Sequence, residues 1–311
     1  MPADEPPRPP PVPVPVPPAP RRTPVHPLPP EVAGGALPLA QGELDEVSAA
    51  ELHELKEQII AAVGFECGSY KEKCLRRRIA VRMRARGVHG YGEYAALLRG
   101  DEAEYARLLD TLTINVSKFY RNPEVWETLE RTVLPPLYAL ESARLQVWSA
   151  GCAGGEEPYS INMLLRDHAR AHGHDPEKHR ILATDVDRTV LGFARKAEYG
   201  SFAMTDIPDD VRDRWFDVDT QFRLRPEARR NVRFAAHDLL RDPYPQRQHL
   251  IFCRNVIIYF ERPLQEALFR RFHDALLPGG FLVLGKVEAL FGGASGLFRT
   301  VAARQRIFRR S

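Results

Sequence analysis

Two short runs hold the residues best suited to chemistry: WSAGCAGGEEPYSI, residues 148–161, and IFCRNVIIYF, residues 251–260. In the first, Gly151, Gly154 and Gly155 follow an apolar strand, where missing side chains let a ligand approach the backbone closely. The run departs from GxGxxG, and Glu156 and Glu157 stand where a pyrophosphate would want positive potential, which disfavours a dinucleotide. An acidic rim suits a positively charged ligand, such as one bearing the sulfonium and ammonium groups of S-adenosylmethionine. Asp185 ends the next apolar run, a position that serves a ribose-binding carboxylate and a helix N-cap equally well. In the second run a strand ends on Arg254 and Asn255 and the chain continues to Tyr259. From the residues alone, Asn255 reads as an amide satisfying backbone groups and Tyr259 as a core aromatic.

Other chemistry is weakly signalled. His168, His172 and His174 have spacing that a metal can use but sit at a polar helix end, so no metal is expected. Cys67, Cys74, Cys152 and Cys253 form no CxxC pair, which argues against a zinc site and a disulfide framework, and Cys253 continues an apolar strand as core.

The elements that must carry these residues follow from periodicity. From about Leu145, the apolar runs LQVWSA, RILATD, VRFAA, HLIFC and FLVLG alternate with amphipathic helices, which predicts a parallel sheet covered on both faces. A helix is expected from Pro263 to Leu277, where Leu264, Leu268, Phe272 and Leu276 repeat every four residues and Pro278-Gly279-Gly280 ends it. In such a sheet a ligand sits beyond the carboxyl ends of the strands, where strand order reverses. Residues 45–135 read as a small helical domain. Leu52, Leu55, Ile59, Ile60 and Val63 recur at helical spacing before Gly64, and a second helix from about Tyr70 to Arg86 carries Leu75, Ile79 and Met83 as its inward stripe. Arg78, Arg82 and Arg86 form a parallel stripe flanked by Arg77 and Arg84. Between residues 66 and 100 nine Lys or Arg face three acids. Like charges in that excess repel, so a polyanionic partner, an acidic helix or an RNA, stands level with an ordinary solvated face.

Length and composition bound the rest. The 311 residues leave room for about two domains, and 44% apolar content allows a sizeable core. A net charge of +3 indicates no whole-protein attraction to nucleic acid. Fifteen of the 27 prolines precede residue 31, so residues 1–44 are expected to form a disordered or polyproline II tail. It reads as a spacer, or as a ligand for a proline-binding partner. With no apolar signal core and no run near the roughly 18 apolar residues of a membrane span, a soluble cytoplasmic protein is expected, with no membrane insertion.

Five ordered blocks carry a family resemblance: LRRRIAVRM (75–83), LTINVSKFYRNPEVW (112–126), VWSAGCAGGEEPYSI (147–161), ATDVDRTVLGFARKAEY (183–199) and FCRNVIIYF (252–260). From residue 45 onward the chain resembles the bacterial chemoreceptor glutamate methyltransferases, the CheR family. The resemblance implies an α/β fold: a Rossmann-like S-adenosylmethionine methyltransferase domain over 136–311, with a small antiparallel β subdomain inserted at about 200–232. A small all-α N-terminal domain over 45–135 precedes it. The implied activity is methyl transfer from S-adenosylmethionine to glutamate carboxylates on an acidic helical signalling domain of a chemoreceptor, leaving S-adenosylhomocysteine. No nucleic acid partner is implied, and a monomer is expected. Cofactor contacts map onto Asn115, Ser117 and Arg121, onto Gly151 and Glu157 with Glu156 as the neighbouring choice, and onto Asp185, Asp238, Leu239, Arg254 and Asn255. Arg121 and Tyr259 fall where the family faces the methyl group and the substrate, and Arg77, Arg78, Arg82, Arg84 and Arg86 become the docking face for the acidic partner. A glutamate, with a pKa of about 4.3, is already ionised at neutral pH, so no general base is required. The chain departs from the family at Ser117 and Gly154, where threonine is usual, and at Lys286-Val287, where His-Ser is usual, which leaves open what closes that end of the cleft. The loop from Asp217 to Phe222 looks shorter than in members that grip a receptor's C-terminal pentapeptide, so such tethering is not expected.

Overall fold

The computed structural model describes residues 41–113, 117–139 and 144–311. The proline-rich stretch before residue 41, with its spacer or ligand role, lies outside the described residues. Among the described residues no helix is long and apolar enough to cross a membrane.

Among the described residues, four helices come first: α1 (Gln41–Val63), α2 (Glu72–Arg86), α3 (Tyr91–Gly100) and α4 (Glu102–Thr113). Their apolar stripes meet as expected, with Leu52, Leu55 and Ile59 of α1 and Leu75, Ile79 and Met83 of α2 buried around Tyr94 and Leu108. Gly87, left-handed at φ 69, ends α2 by turning its N–H back onto Met83 and Arg84 carbonyls.

The next helical segment packs elsewhere. Helix α5 (Pro123–Thr128), a π turn (Leu129–Val133) and α6 (Leu134–Ala139) place Trp126, Leu129, Leu134 and Leu137 in one core with Val147, Leu250 and Phe252 of the sheet. The helical cluster around Tyr94 ends at Leu112. Helices α5 and α6 thus bury their apolar sides on the sheet rather than on that cluster.

The main sheet has seven strands, β1 (Leu145–Ala150), β2 (His179–Asp185), β6 (Val232–Ala236), β7 (Gln248–Cys253), β8 (Leu276–Leu284), β9 (Phe298–Ala302) and β10 (Ile307–Arg310), in the order β6-β2-β1-β7-β8-β10-β9. The first five run parallel, and β10 and β9 close one edge antiparallel. Strand β1 shows why its run carries apolar residues on both faces: Leu145 and Val147 join the core on one face, Trp148 and Ala150 the core on the other. Helices α7 (Glu156–Ala171) and α8 (Arg188–Lys196) connect β1 to β2 and lead out of β2, and α11 (Arg262–Ala275) packs Leu268, Phe269 and Phe272 against Trp148. Helix α11 stops two residues before the expected Leu277, because Leu276 enters β8, where it pairs with Gln248. Between β2 and β6, strands β3 (Glu198–Tyr199), β4 (Phe216–Val218) and β5 (Phe222–Leu224) form a separate antiparallel sheet, accompanied by α9 (Asp209–Trp215) and α10 (Pro226–Arg229).

Strand β2 lies on one side of β1 and β7 on the other, so strand order reverses at the carboxyl ends of β1 and β7. The runs 148–161 and 251–260 both emerge there.

Candidate functional site

A cleft opens at that point, walled by the glycine loop, the ends of β2, β6 and β7, the segment 117–121 and the tip of the helical cluster. Ser117, Arg121, Gly151, Glu157, Asp185, Asp238, Leu239, Arg254, Asn255 and Tyr259 all line it. Asn115 lies outside the described residues.

Gly151 is required where it stands. Its φ is +74, and a Cβ there would meet Val256 Cγ2 at 2.3 Å, so the loop after β1 and the turn after β7 touch through the missing side chain.

The two neighbouring glutamates part company. Glu157 faces the cleft, with Oε1 accepting from Ser149 Oγ at 2.8 Å and Oε2 lying 3.6 Å from Arg254 Nη1. Burial raises its carboxyl above the usual range, against the pull of Arg254 and Ser149. Glu156 does not line this cleft. It borders a second cavity beside Phe193, Glu198 and Phe202, with Oε2 buried and lacking a hydrogen-bond partner among the described residues. Burial pushes its carboxyl up to about 7. The two part because adjacent positions on a helix point about 100° apart, so Glu157 alone of the pair lines the cleft.

Asp185 accepts from Ala153 N at 2.9 Å through Oδ2 and from Asp187 N at 3.0 Å through Oδ1. Asp187, not Asp185, caps α8, taking N–H bonds from Thr189 and Val190. The helix-cap role is therefore filled, and Asp185 is left bracing the glycine loop at the cleft wall. Asp238 holds the loop after β6 by accepting from Leu240 N at 2.8 Å.

Arg254 is buried behind Glu157. Its Nη2 donates to Arg121 O and Asn122 Oδ1, both at 2.9 Å, while Nε has no partner among the described residues. Burial lowers its pKa and Glu157 opposes that. The carbonyl of Arg121 also accepts from Trp126 Nε1 at 3.1 Å, so the backbone beneath the Arg121 guanidinium is held twice. Arg121 lies close enough for its charge to bear on Glu157, Arg254 and Tyr259.

Tyr259 closes the wall on the helical side. The Arg78 guanidinium lies 5.1 Å from its ring centre, and its carbonyl accepts from Lys71 N at 2.8 Å. Burial raises its hydroxyl pKa, and the nearby Arg78 and Arg121 charges lower it. Lys71 Nζ donates to Ile258 O at 2.7 Å, and Tyr70 stands edge-on to Phe260 with ring centres 5.0 Å apart. The helical cluster thus reaches the cleft through Phe65, Glu66 and Tyr70. Glu66 pairs with Arg241.

Three of the five expected docking arginines are engaged within the fold. Arg82 grips Glu104 by two bonds of 2.8 Å, Arg86 lies 3.1 Å from Asp101 and 3.6 Å from Glu104, and Arg78 donates to the Thr111 and Leu112 carbonyls. Their stripe faces α4, where Glu104 is fully buried. Arg77 and Arg84 are exposed and make no ion pair among the described residues, so the free cationic surface of α2 is narrower than its sequence.

Sequence reasoning missed Tyr70, Lys118 and His237 on the cleft wall and Glu288 behind it. Lys118 and His237 lay beside expected contacts, Tyr70 was read only as the start of a helix, and Glu288 had no signal at all.

The residues fit S-adenosylmethionine. Asn255 Oδ1 is buried, borders the cleft and lacks a partner among the described residues, Gly151 leaves room that a side chain would fill, and Glu157 and Asp185 supply negative potential for a cationic ligand with hydroxyls.

Comparison with known proteins agrees with that chemistry. The CheR methyltransferase SAM-binding domain matches residues 115–307, and the CheR methyltransferase all-alpha domain matches residues 50–113. A chemotaxis protein methyltransferase of Listeria monocytogenes is 34% identical over 75% of this chain and 87% of its own length. Chemotaxis protein methyltransferase 1 of Pseudomonas aeruginosa is 32% identical over 73% of this chain and 85% of its own. An uncharacterized 104.1 kDa protein of Rhodobacter capsulatus is 36% identical over 87% of this chain, which spans 29% of that longer protein.

Proposed function

The chain belongs to the CheR methyltransferase family, with S-adenosylmethionine as its cofactor, and we propose that it methylates glutamate side chains on the acidic helical signalling domain of a chemoreceptor, as a cytoplasmic enzyme of chemosensory adaptation. Bound S-adenosylmethionine supplies an electrophilic methyl group on a sulfonium. Glu157, Asp185, Asp238, Leu239, Arg254 and Asn255 hold it, and Arg121 and Tyr259 receive the acceptor.

One observation carries the reading: a single cleft is lined both by buried carboxylates, Glu157 and Asp185, and by the cations Arg121 and Lys118. The carboxylates suit a cationic donor, and the cations suit an anionic acceptor. An ionised glutamate needs no base, so the residues have to align it. A guanidinium fork grips two oxygens, which makes Arg121 the steering group. Alignment of this kind supplies about 7–11 kcal/mol. Too firm a grip would stabilise the ground state, so Arg121 orients more than it binds. Arg77 and Arg84 present free charge of α2 to the acidic partner.

The test is incubation of the full chain with methyl-labelled S-adenosylmethionine and receptor signalling-domain fragments. Base-labile label on the fragment is expected. Label on RNA instead would overturn the substrate, and binding of the cofactor without any transfer would overturn the activity.

A further inference from the structure

Glu288 lies in the loop after β8, in the run KVEALF, and is 3% exposed. Its carboxylate accepts four main-chain hydrogen bonds: Oε2 from Gly285 N at 2.6 Å and Asn255 N at 2.9 Å, Oε1 from Val256 N at 3.0 Å and Ile258 N at 3.3 Å. Three of the four donors belong to the turn that follows β7. That turn carries Asn255 in the left-handed region at φ 62, Val256 against the bare Gly151 and, one residue beyond the last donor, Tyr259. Glu288 is not among the residues lining the cleft. The clasp also explains Gly285, where a Cβ would stand 2.7 Å from both Asn255 N and Glu288 Oε2. Lys286 and Val287, where the family pattern is broken, are exposed at 66% and 70% and leave the clasp untouched.

We propose that Glu288 is a positioning residue that shapes the cofactor cleft from behind, by holding the Asn255–Tyr259 turn through its main-chain N–H groups. Carboxylate is the one side-chain group of this size that accepts at both oxygens. In Glu288→Gln an NH2 group would face N–H donors and leave them unpaired in a buried place. The inference rests on the cleft being the S-adenosylmethionine site.

The experiment compares the full-length wild type with Glu288→Gln, Glu288→Asp and Val287→Ala. Calorimetry with S-adenosylhomocysteine gives Kd, labelled transfer to a receptor fragment gives KM for each substrate, and thermal unfolding gives Tm. Glu288→Gln is expected to raise the Kd and the KM for the methyl donor roughly tenfold to a hundredfold while the KM for the fragment stays put. Val287→Ala is expected to match wild type. A purely architectural role would lower Tm and the active fraction yet leave the Kd of the folded fraction unchanged, and that result overturns the proposal. If Glu288→Gln does not fold, Glu288→Asp, with the charge on a shorter arm, is judged in the same way. Wild type that binds S-adenosylhomocysteine while the variants bind it equally well defeats the positioning role alone; wild type with no affinity defeats the reading of the cleft as well.

Discussion

Arg254 Nη2 donates to the main-chain oxygen of Arg121 at 2.9 Å, across 133 residues of sequence. One buried guanidinium therefore ties the proposed steering arginine to the strand that ends at the cleft, while its other side faces Glu157. Arg254→Lys keeps the charge but loses the planar fork that reaches both partners. Turnover is expected to fall about a hundredfold, with weaker binding of S-adenosylhomocysteine, since small misplacements cost that much. Labelled transfer and calorimetry measure the two, and wild-type values in both would remove the link.

Arg121→Ala leaves this backbone clasp intact, because Arg254 and Trp126 bind the Arg121 carbonyl rather than its side chain. Its turnover is expected to drop at least about a hundredfold, as on losing one preorganised donor. The loss in turnover should exceed the loss in cofactor affinity. Near wild-type transfer by this variant would refute the steering role.

Glu156 gives a pH dependence that can be isolated. Burial raises its carboxyl from the ordinary 4.5 to about 7, so between those values the folded chain keeps a proton that the unfolded chain has released. Stability from this group therefore falls as pH rises through that window and levels off above it. Glu157, Asp185 and Glu288 are raised in the same direction by burial, so wild type alone cannot single it out. Relative to wild type, Glu156→Gln should gain roughly 1–3 kcal/mol between pH 4 and pH 8. Denaturant unfolding at both pH values checks it; a constant difference would show that the carboxyl does not titrate in that window.

The arginines of α2 should divide into two groups. Arg82→Ala leaves the buried Glu104 with weaker partners and is expected to cost roughly 1–3 kcal/mol of stability, less than a fully buried pair because Arg82 is partly exposed and Arg86 remains nearby. Arg77→Glu with Arg84→Glu should leave the unfolding midpoint and the affinity for S-adenosylhomocysteine near wild type, while raising the KM for an acidic receptor fragment and flattening its salt dependence. An unchanged KM would remove α2 as the docking face.

Much of this molecule could be read from its residue order. The core strands carry apolar residues on both faces because a central parallel strand is buried on both sides, and the helices of the first cluster show their buried stripes at three- and four-residue spacing. The glycine loop and the Arg254-Asn255 strand end marked the cleft for the same reason, since turns at the carboxyl ends of such strands are where a ligand can approach backbone. What sequence could not decide was which of two equivalent residues faces inward. Glu156 and Glu157 differ only in where the α7 axis points against the sheet. Asp185 suited a ribose contact and a helix cap alike, until the start of α8 gave the cap to Asp187. The arginine stripe of α2 read as a free surface because its partner Glu104 sits on another helix. Glu288 has no periodicity or motif, because all four of its partners are main-chain N–H groups that any residue type but proline could offer, brought together only when β7 and β8 pair.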